Sequence, residues 1–323
     1  MCQSSLPKPP PHWGGGGAFL PLSSYFLPLR STGENTMDDL SNIGVVKDIL
    51  SRHGFTFSKA LGQNFLVNPT VCPKIAEMGG AAPGVGVIEI GTGIGVLTNE
   101  LCKRADKVVA VEIDDRLAPV LEETLAEDDN FKLITADVMK VDLASLIEEE
   151  FKDLDVVVCA NLPYYITSPV IMLLLESRLR IKSVTVMVQK EAGTRLLAKV
   201  GSRDMGAVTV ATNYFSKPKL LFNVSRGSFM PSPNVDSCVI RFDIREQTPE
   251  GVTDEAFFFK TVRAAFSQRR KTLANSVSSA MGLDKAIVNN AIEESSLPPS
   301  CRPESLTMEQ LALFTEALKR LTL

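Results

Sequence analysis

The chain has 323 residues, 45% of them hydrophobic, enough for a large core and for more than one domain. A formal net charge of −4 rules out an evenly basic nucleic-acid binder, so any RNA partner must be met by local charge rather than by the sum. Two histidines, six scattered cysteines without metal or redox spacing, and no apolar run near ~18 residues argue against a histidine triad, a metal site and a membrane span. Reduced thiols in a cytoplasmic protein are the expectation.

Residues 1–36 are poor in charge and rich in Pro, Gly and Ser, and they show neither a helical nor a strand period. They are expected to be disordered, or to be an extension upstream of a start at Met37. Proline-broken apolar pieces speak against a secretory signal, and two basic residues (Lys8, Arg30) give an organellar one little support.

Strand and helix patterns then alternate over residues 37–248, which predicts a doubly wound α/β domain. Val87-Ile-Glu-Ile-Gly-Thr-Gly-Ile-Gly-Val-Leu97 reads as an apolar strand, a glycine-rich turn and a helix. Glycines at 91, 93 and 95 allow close backbone approach to a ligand, and the helix start presents free N–H groups. About 20 residues on, the strand Val108–Ile113 carries Glu112, at the spacing of a ribose-binding acid. Nicotinamide enzymes share such a half-fold, but Gly-x-Gly-x-Gly departs from the Gly-x-Gly-x-x-Gly that seats a pyrophosphate. A third strand, Phe131–Ala136, stops at Asp137-Val138; Asp137 reads either as a ligand-binding strand end or as a helix cap.

Asp155-Val-Val-Val-Cys-Ala-Asn-Leu-Pro-Tyr-Tyr-Ile-Thr-Ser-Pro169 is the most informative stretch. A buried strand ends in Asn161, a proline-stiffened turn and two aromatic rings. Proline fixes its own φ and extends its predecessor, so carbonyls at Asn161 and Leu162 can point outward while Tyr164 offers a stacking face. The arrangement suits a flat, aminated ring, though it also reads as a plain strand and turn. Further strands are predicted at Ser183–Val188, Leu220–Val224 and Cys238–Ile244, and Thr248-Pro-Glu-Gly251 is a linker. From 249 to 323 only helical periods appear, with breaks at Gly282, Pro298-Pro299 and Pro303, which predicts a small all-helical domain.

Acidic residues cluster at Glu122-Glu123, Glu127-Asp128-Asp129 and Glu148–Glu150. Basic ones gather at Lys190, Arg195, Lys199, Arg203, Lys217, Lys219 and Arg226, and again at Arg269-Arg270-Lys271. Any one of these is an ordinary solvated face; Arg269-Arg270-Lys271 and Arg226 are the candidates for RNA phosphates.

Gly62-Gln-Asn-Phe-Leu66, Glu89-Ile-Gly-Thr-Gly93, Glu112, Asp137 and Asn161-Leu-Pro-Tyr164 together resemble the S-adenosylmethionine-dependent rRNA adenine dimethyltransferases. Ser228-Phe-Met-Pro-Ser-Pro-Asn-Val-Asp-Ser237 and Ala265-Phe-Ser-Gln-Arg-Arg-Lys-Thr-Leu-Ala-Asn275 narrow the resemblance to the bacterial small-subunit (KsgA) branch. Thr92, where proline is common in that family, is the one departure.

The resemblance implies a Rossmann-like class I methyltransferase sheet, S-adenosyl-L-methionine as cofactor, and an RNA-binding role for the helical domain. It implies that Asn64 and Leu66 cover the methionine part of the cofactor and Gly91 and Gly93 its amino-acid end. Glu112 would accept both ribose hydroxyls and Asp137 the adenine amino group, Ile113 and Val138 would also contact the cofactor, and Asn161 would border both cofactor and target. Asn161, Leu162, Tyr164 and Phe229 would form the catalytic set, with the target base flipped out between Tyr164 and Phe229. The implied reaction is dimethylation of the N6 amines of two adjacent adenosines in a hairpin loop near the 3′ end of 16S rRNA. The implied substrate is an immature 30S-type particle, met by a monomer. A large-subunit (23S) rRNA methyltransferase of the antibiotic-resistance type and a non-catalytic ribosome-assembly factor remain as alternatives, and a nicotinamide oxidoreductase is the weakest.

Overall fold

The computed structural model describes residues 40, 42–56, 64–163 and 166–322. Residues 1–36, Gly62, Gln63 and Tyr164, all assigned above from sequence, lie outside the described residues. The chain forms two compact units: the first runs through Leu197 and resumes over Ser216–Arg245, while Ala198–Phe215 and the chain from Glu246 onward make the second.

The first unit is built on a seven-stranded sheet. In chain order it contains α1 (Ile43–Arg52), β1 (Phe65–Leu66), α2 (Val71–Gly79), β2 (Val85–Ile90), α3 (Val96–Cys102) and β3 (Lys107–Glu112). There follow α4 (Ala118–Thr124), β4 (Phe131–Thr135), α5 (Leu143–Glu150), β5 (Asp155–Asn161), α6 (Thr167–Glu176), β6 (Ser183–Gln189) and α7 (Lys190–Leu196). After α8 (Ala207–Phe215), which belongs to the second unit, come β7 (Ser216–Val224), β8 (Phe229–Met230) and β9 (Ser237–Ile244).

Strand order is β4-β3-β2-β5-β6-β9-β7, parallel from β4 to β6 with β9 and β7 antiparallel to their neighbours. The doubly wound expectation holds, because strands such as Val108–Val111 and Val156–Ala160 are buried on both faces, as parallel strands covered by helices must be. Every predicted strand is present within a few residues. The β1–β8 pair was not foreseen: Phe65 pairs with Met230 and Leu66 with Phe229, a contact between segments over 160 residues apart that no local pattern announces.

The second unit contains α8, α9 (Glu255–Ala265), α10 (Leu273–Met281), α11 (Lys285–Glu294) and α12 (Met308–Thr322). Residues 198–215 lie with these helices, whereas the division at 248/249 read from sequence put them with the sheet. The reason is aromatic burial. Tyr214 and Phe215 on α8 pack on Phe258 and Phe259 of α9, with ring centroids 5.1–5.6 Å apart. Such pairs add to the burial of their large apolar area. Asp254 caps α9 and binds Lys319 Nζ at 2.9 Å, Thr272 caps α10, and Gly282 ends it in the left-handed region. No helix among the described residues is long and apolar enough to cross a membrane.

Candidate active site

Parallel strands end together, so residues at or just past the carboxyl ends of β4, β3, β2 and β5 converge on one rim of the sheet. Asp137, Glu112, Gly91 and Asn161 occupy those four positions. They line a cavity of about 270 Å³ together with Asn64, Leu66, Gly93, Ile113, Val138, Leu162 and Phe229. All the described residues proposed from sequence for cofactor and target are therefore brought together. Phe65, Glu89, Thr92, Ile94, Met139, Pro163 and Ile166 also line it and were not assigned roles.

The glycine-rich turn has a strained backbone only glycine holds easily. Gly91, Gly93 and Gly95 have φ of 78°, 55° and 90°. A Cβ on Gly95 would also meet Thr124, Leu125 and Leu121 at 3.1–3.3 Å. Gly91 N–H donates to the Val111 carbonyl at 2.9 Å, which ties the turn to the end of β3. Thr92, in place of the family's proline, donates its backbone N–H to Glu112 Oε2 at 2.9 Å and its hydroxyl to the same oxygen at 3.2 Å.

Glu112 is nearly buried, and its other oxygen accepts from the backbone N–H groups of Ile113 and Asp114, each at 2.9 Å. Burial raises its pKa, opposed by these donors. The carboxylate thus organises two loops as well as facing the cavity. Asp137 accepts from Met139 N–H at 3.0 Å, as the cap reading expects, and it also lines the cavity. The Asn161 side-chain amide has no hydrogen-bond partner among the described residues and is half-buried at the cavity edge. Phe229 is held by the β1–β8 pair, so its ring is fixed against the same cavity.

Glu89 is the feature sequence reasoning passed over. It lies on β2 between Ala110 of β3 and Cys159 of β5, is fully buried, and neither carboxylate oxygen has a hydrogen-bond partner among the described residues. Thr98 on α3 lies near enough to draw its pKa down somewhat, but its hydroxyl closes no hydrogen bond. Burial dominates and pushes the Glu89 carboxyl up to about 8. A carboxyl in an apolar strand was the available signal, but the strand pattern alone does not say that its side chain borders a cavity.

The basic residues fall into two sets. Arg195 pairs with Glu191 and Lys219 with Asp243. Lys190, Arg226, Arg269, Arg270 and Lys271 are exposed and form no ion pair among the described residues. Arg226 and Lys190 line a second, separate concavity of the sheet unit. Arg269, Arg270 and Lys271 form the turn between α9 and α10 in the helical unit. Of the acidic clusters, Glu150 is neutralised by Lys107 and Lys132, and Glu123 is paired with Arg52 and hydrogen-bonded to His53.

Comparison with known proteins adds the family. The model for the ribosomal RNA adenine dimethylase family matches residues 54–310. The Ribosomal RNA small subunit methyltransferase A of Geobacillus sp. (strain WCH70) is 45% identical over 285 residues, covering 87% of this chain and 98% of the relative. A crystallised dimethyladenosine transferase from Plasmodium falciparum superposes with a TM-score of 0.66 at 26% identity, over 80% of this chain and 98% of that one. The 23S rRNA methyltransferase ErmE follows, with a TM-score of 0.58 at 25% identity, over 79% and 100%. The sheet is that of the Rossmann-like class I methyltransferases. With a family model spanning most of its length and a relative of this identity, the chain belongs to the ribosomal RNA adenine dimethylases.

Proposed function

We propose that the protein transfers methyl groups from S-adenosyl-L-methionine to the N6 amines of two adjacent adenosines in a hairpin loop near the 3′ end of small-subunit rRNA. The observation that carries this reading is the convergence of Glu112, Asp137, Gly91, Asn161 and Phe229 on one cavity at the strand ends. The 45% identity to a small-subunit enzyme, against 25% to a large-subunit one, favours the small subunit as substrate.

The cavity fits the cofactor on its own chemistry. Glu89 contributes a buried carboxyl without a partner among the described residues, which suits a cationic ligand, and Glu112 and Asp137 contribute acceptors at the ends of adjacent strands. Glu112 would hold the ribose hydroxyls, Asp137 the adenine amino group, Asn64 and Leu66 the methionine part, and the backbone at Gly91 and Gly93 its amino-acid end. Ile113 and Val138 would flank the adenine ring. When bound, S-adenosylmethionine supplies a methyl group already activated on sulfur.

The protein's task is to orient the amine. An adenine amino nitrogen is a poor nucleophile because its lone pair is delocalised into the ring. Asn161 Oδ1, without a partner among the described residues, and the Leu162 carbonyl would accept its hydrogens and localise that pair toward the methyl group. Phe229, with Tyr164, would hold the ring's faces, worth roughly 1–3 kcal/mol per stacked base. Alignment supplies most of the rate, and no strong base is needed before attack. Ion pairing of Glu123 and Glu150 within two of the acidic clusters, and exposed cations at Arg226 and Arg269–Lys271, support an RNA partner, in an immature particle and engaged by a monomer.

Asn161→Ala tests the assignment. At saturating cofactor, with cofactor affinity measured separately, methyl transfer should fall by roughly 10²-fold or more, as for loss of a positioned transition-state group. Binding to undermethylated small subunits should change little. A variant of near-normal turnover would reduce Asn-Leu-Pro-Tyr to a strand-ending turn.

A further inference from the structure

A second concavity lies beside the first, and no step above uses it. It is lined by Gln189 at the end of β6, by Lys190, Glu191 and Thr194 of α7, and by Arg226, Asn234, Val235 and Asp236 of the segment that carries Phe229; the Glu191 carboxylate is paired with Arg195 at 2.9 Å. Its volume of about 540 Å³ falls within the range of ligand-sized sites. The segment 226–236 is thus a shared wall: Phe229 faces the cofactor cavity, and Arg226, Asn234 and Val235 face the other side. The wall is braced. Asp236 Oδ1 accepts the Arg226 N–H at 3.0 Å, Ser232 donates to the Arg226 carbonyl at 2.9 Å, and Lys190 N–H donates to the Asp236 carbonyl at 3.0 Å.

The spacing suits one nucleotide step. Asn161 pairs with Met187 in the sheet, and Gln189 lies two residues further along β6. With strands ~4.8 Å apart and a rise of ~3.3 Å per residue, the Cα atoms of Asn161 and Gln189 are about 8 Å apart. The chemistry suits a nucleotide too. Lys190 and Arg226 are cations without an ion pair among the described residues, and the side-chain amides of Gln189 and Asn234 have no hydrogen-bond partner among them. Val235 is 44% exposed, an apolar surface set among polar groups. Phosphates need cations, base edges need amide donors and acceptors, and a base face needs an apolar platform.

We propose that this concavity is a subsite for the nucleotide adjoining the target adenosine. Lys190 and Arg226 hold its phosphate, and its base lies on Val235 within reach of the Gln189 and Asn234 amides. The proposal rests on the reading that the substrate is an adenosine in a single-stranded RNA loop. It makes the enzyme a reader of two consecutive nucleotides, which positions the neighbour of the base being methylated.

The test uses the full chain, S-adenosylmethionine and undermethylated small ribosomal subunits. A photo-reactive benzoyl-phenylalanine replacing Val235 should crosslink to the nucleotide directly adjoining the methylated one. Gln189→Ala combined with Asn234→Ala should lower kcat/KM for the subunit by about tenfold, as expected on removing one good base-edge pair. Lys190→Ala should weaken subunit binding and flatten its salt dependence, and cofactor affinity by calorimetry should be unchanged in every variant. Crosslinks to distant RNA, or undiminished kcat/KM in the double variant, would overturn the subsite while wild-type methylation leaves the parent reading intact. Absence of methylation by the wild-type protein would instead sink the parent reading.

Discussion

Replacing Glu89 by glutamine tests how the cavity receives a charged cofactor. Glu89 is fully buried, without a hydrogen-bond partner among the described residues, and its pKa is raised to about 8 by burial. At pH 7 it is therefore mostly protonated in the ligand-free protein. A cationic sulfonium and ammonium in the cavity favour its ionised form, so binding should expel a proton. The count at pH 7 should approach one per site, and affinity should rise by up to about tenfold per pH unit below about pH 8, then level off. The same raised pKa acts on folding with the opposite sense. The neutral carboxyl is tolerated below the ordinary carboxylate range, and stability falls away as pH rises from that range to about 8.

The neighbours that could blur this are Glu112 on β3, also raised by burial, and the thiols of Cys72 and Cys159, which burial pushes up and keeps neutral. Glu89→Gln leaves those groups in place and removes only the titrating proton. Calorimetry in two buffers of different ionisation enthalpy gives the proton count directly. The variant should release almost no proton, bind with a flat pH profile across that window, and outlast the wild type to heat above pH 8 without ligand. Equal proton release by wild type and variant would refute the coupling.

Glu112→Ala should weaken cofactor binding by about 1.5–3 kcal/mol, the worth of a charged hydrogen bond. It should also lower stability measurably in denaturant, because Thr92, Ile113 and Asp114 are deprived of their acceptor; unchanged cofactor affinity would remove the ribose role. Neutralising Arg269, Arg270 and Lys271 together should reduce the logarithmic salt slope of subunit binding by about 0.7–0.9 for each phosphate that these side chains neutralise. An unaltered slope would make them a solvated turn.

Much of the site was legible because parallel strands announce themselves as apolar runs and reveal their ends where the run breaks. Glu112, Asp137 and Asn161 stand at such breaks, and the sheet brings all three to one cavity. What was not legible depends on neighbours distant in sequence. The pairing of Phe65–Leu66 with Phe229–Met230 joins two unremarkable pieces, and only that pairing fixes the Phe229 ring. The side chain of Glu89 sits in an apolar strand whose pattern does not reveal a cavity beside it. Residues 198–215 read as part of an alternating α/β pattern, yet Tyr214 and Phe215 find their aromatic partners on α9. The second concavity joins Gln189 to Asn234, residues with no pattern in common.

The most direct test is incubation of the protein with methyl-labelled S-adenosylmethionine and undermethylated small ribosomal subunits, followed by mapping of the labelled bases. Label on the N6 amines of two adjacent adenosines in one hairpin loop near the 3′ end of the small-subunit RNA is the predicted result. Label confined to large-subunit RNA in a mixed preparation, or none at saturating cofactor, would contradict it.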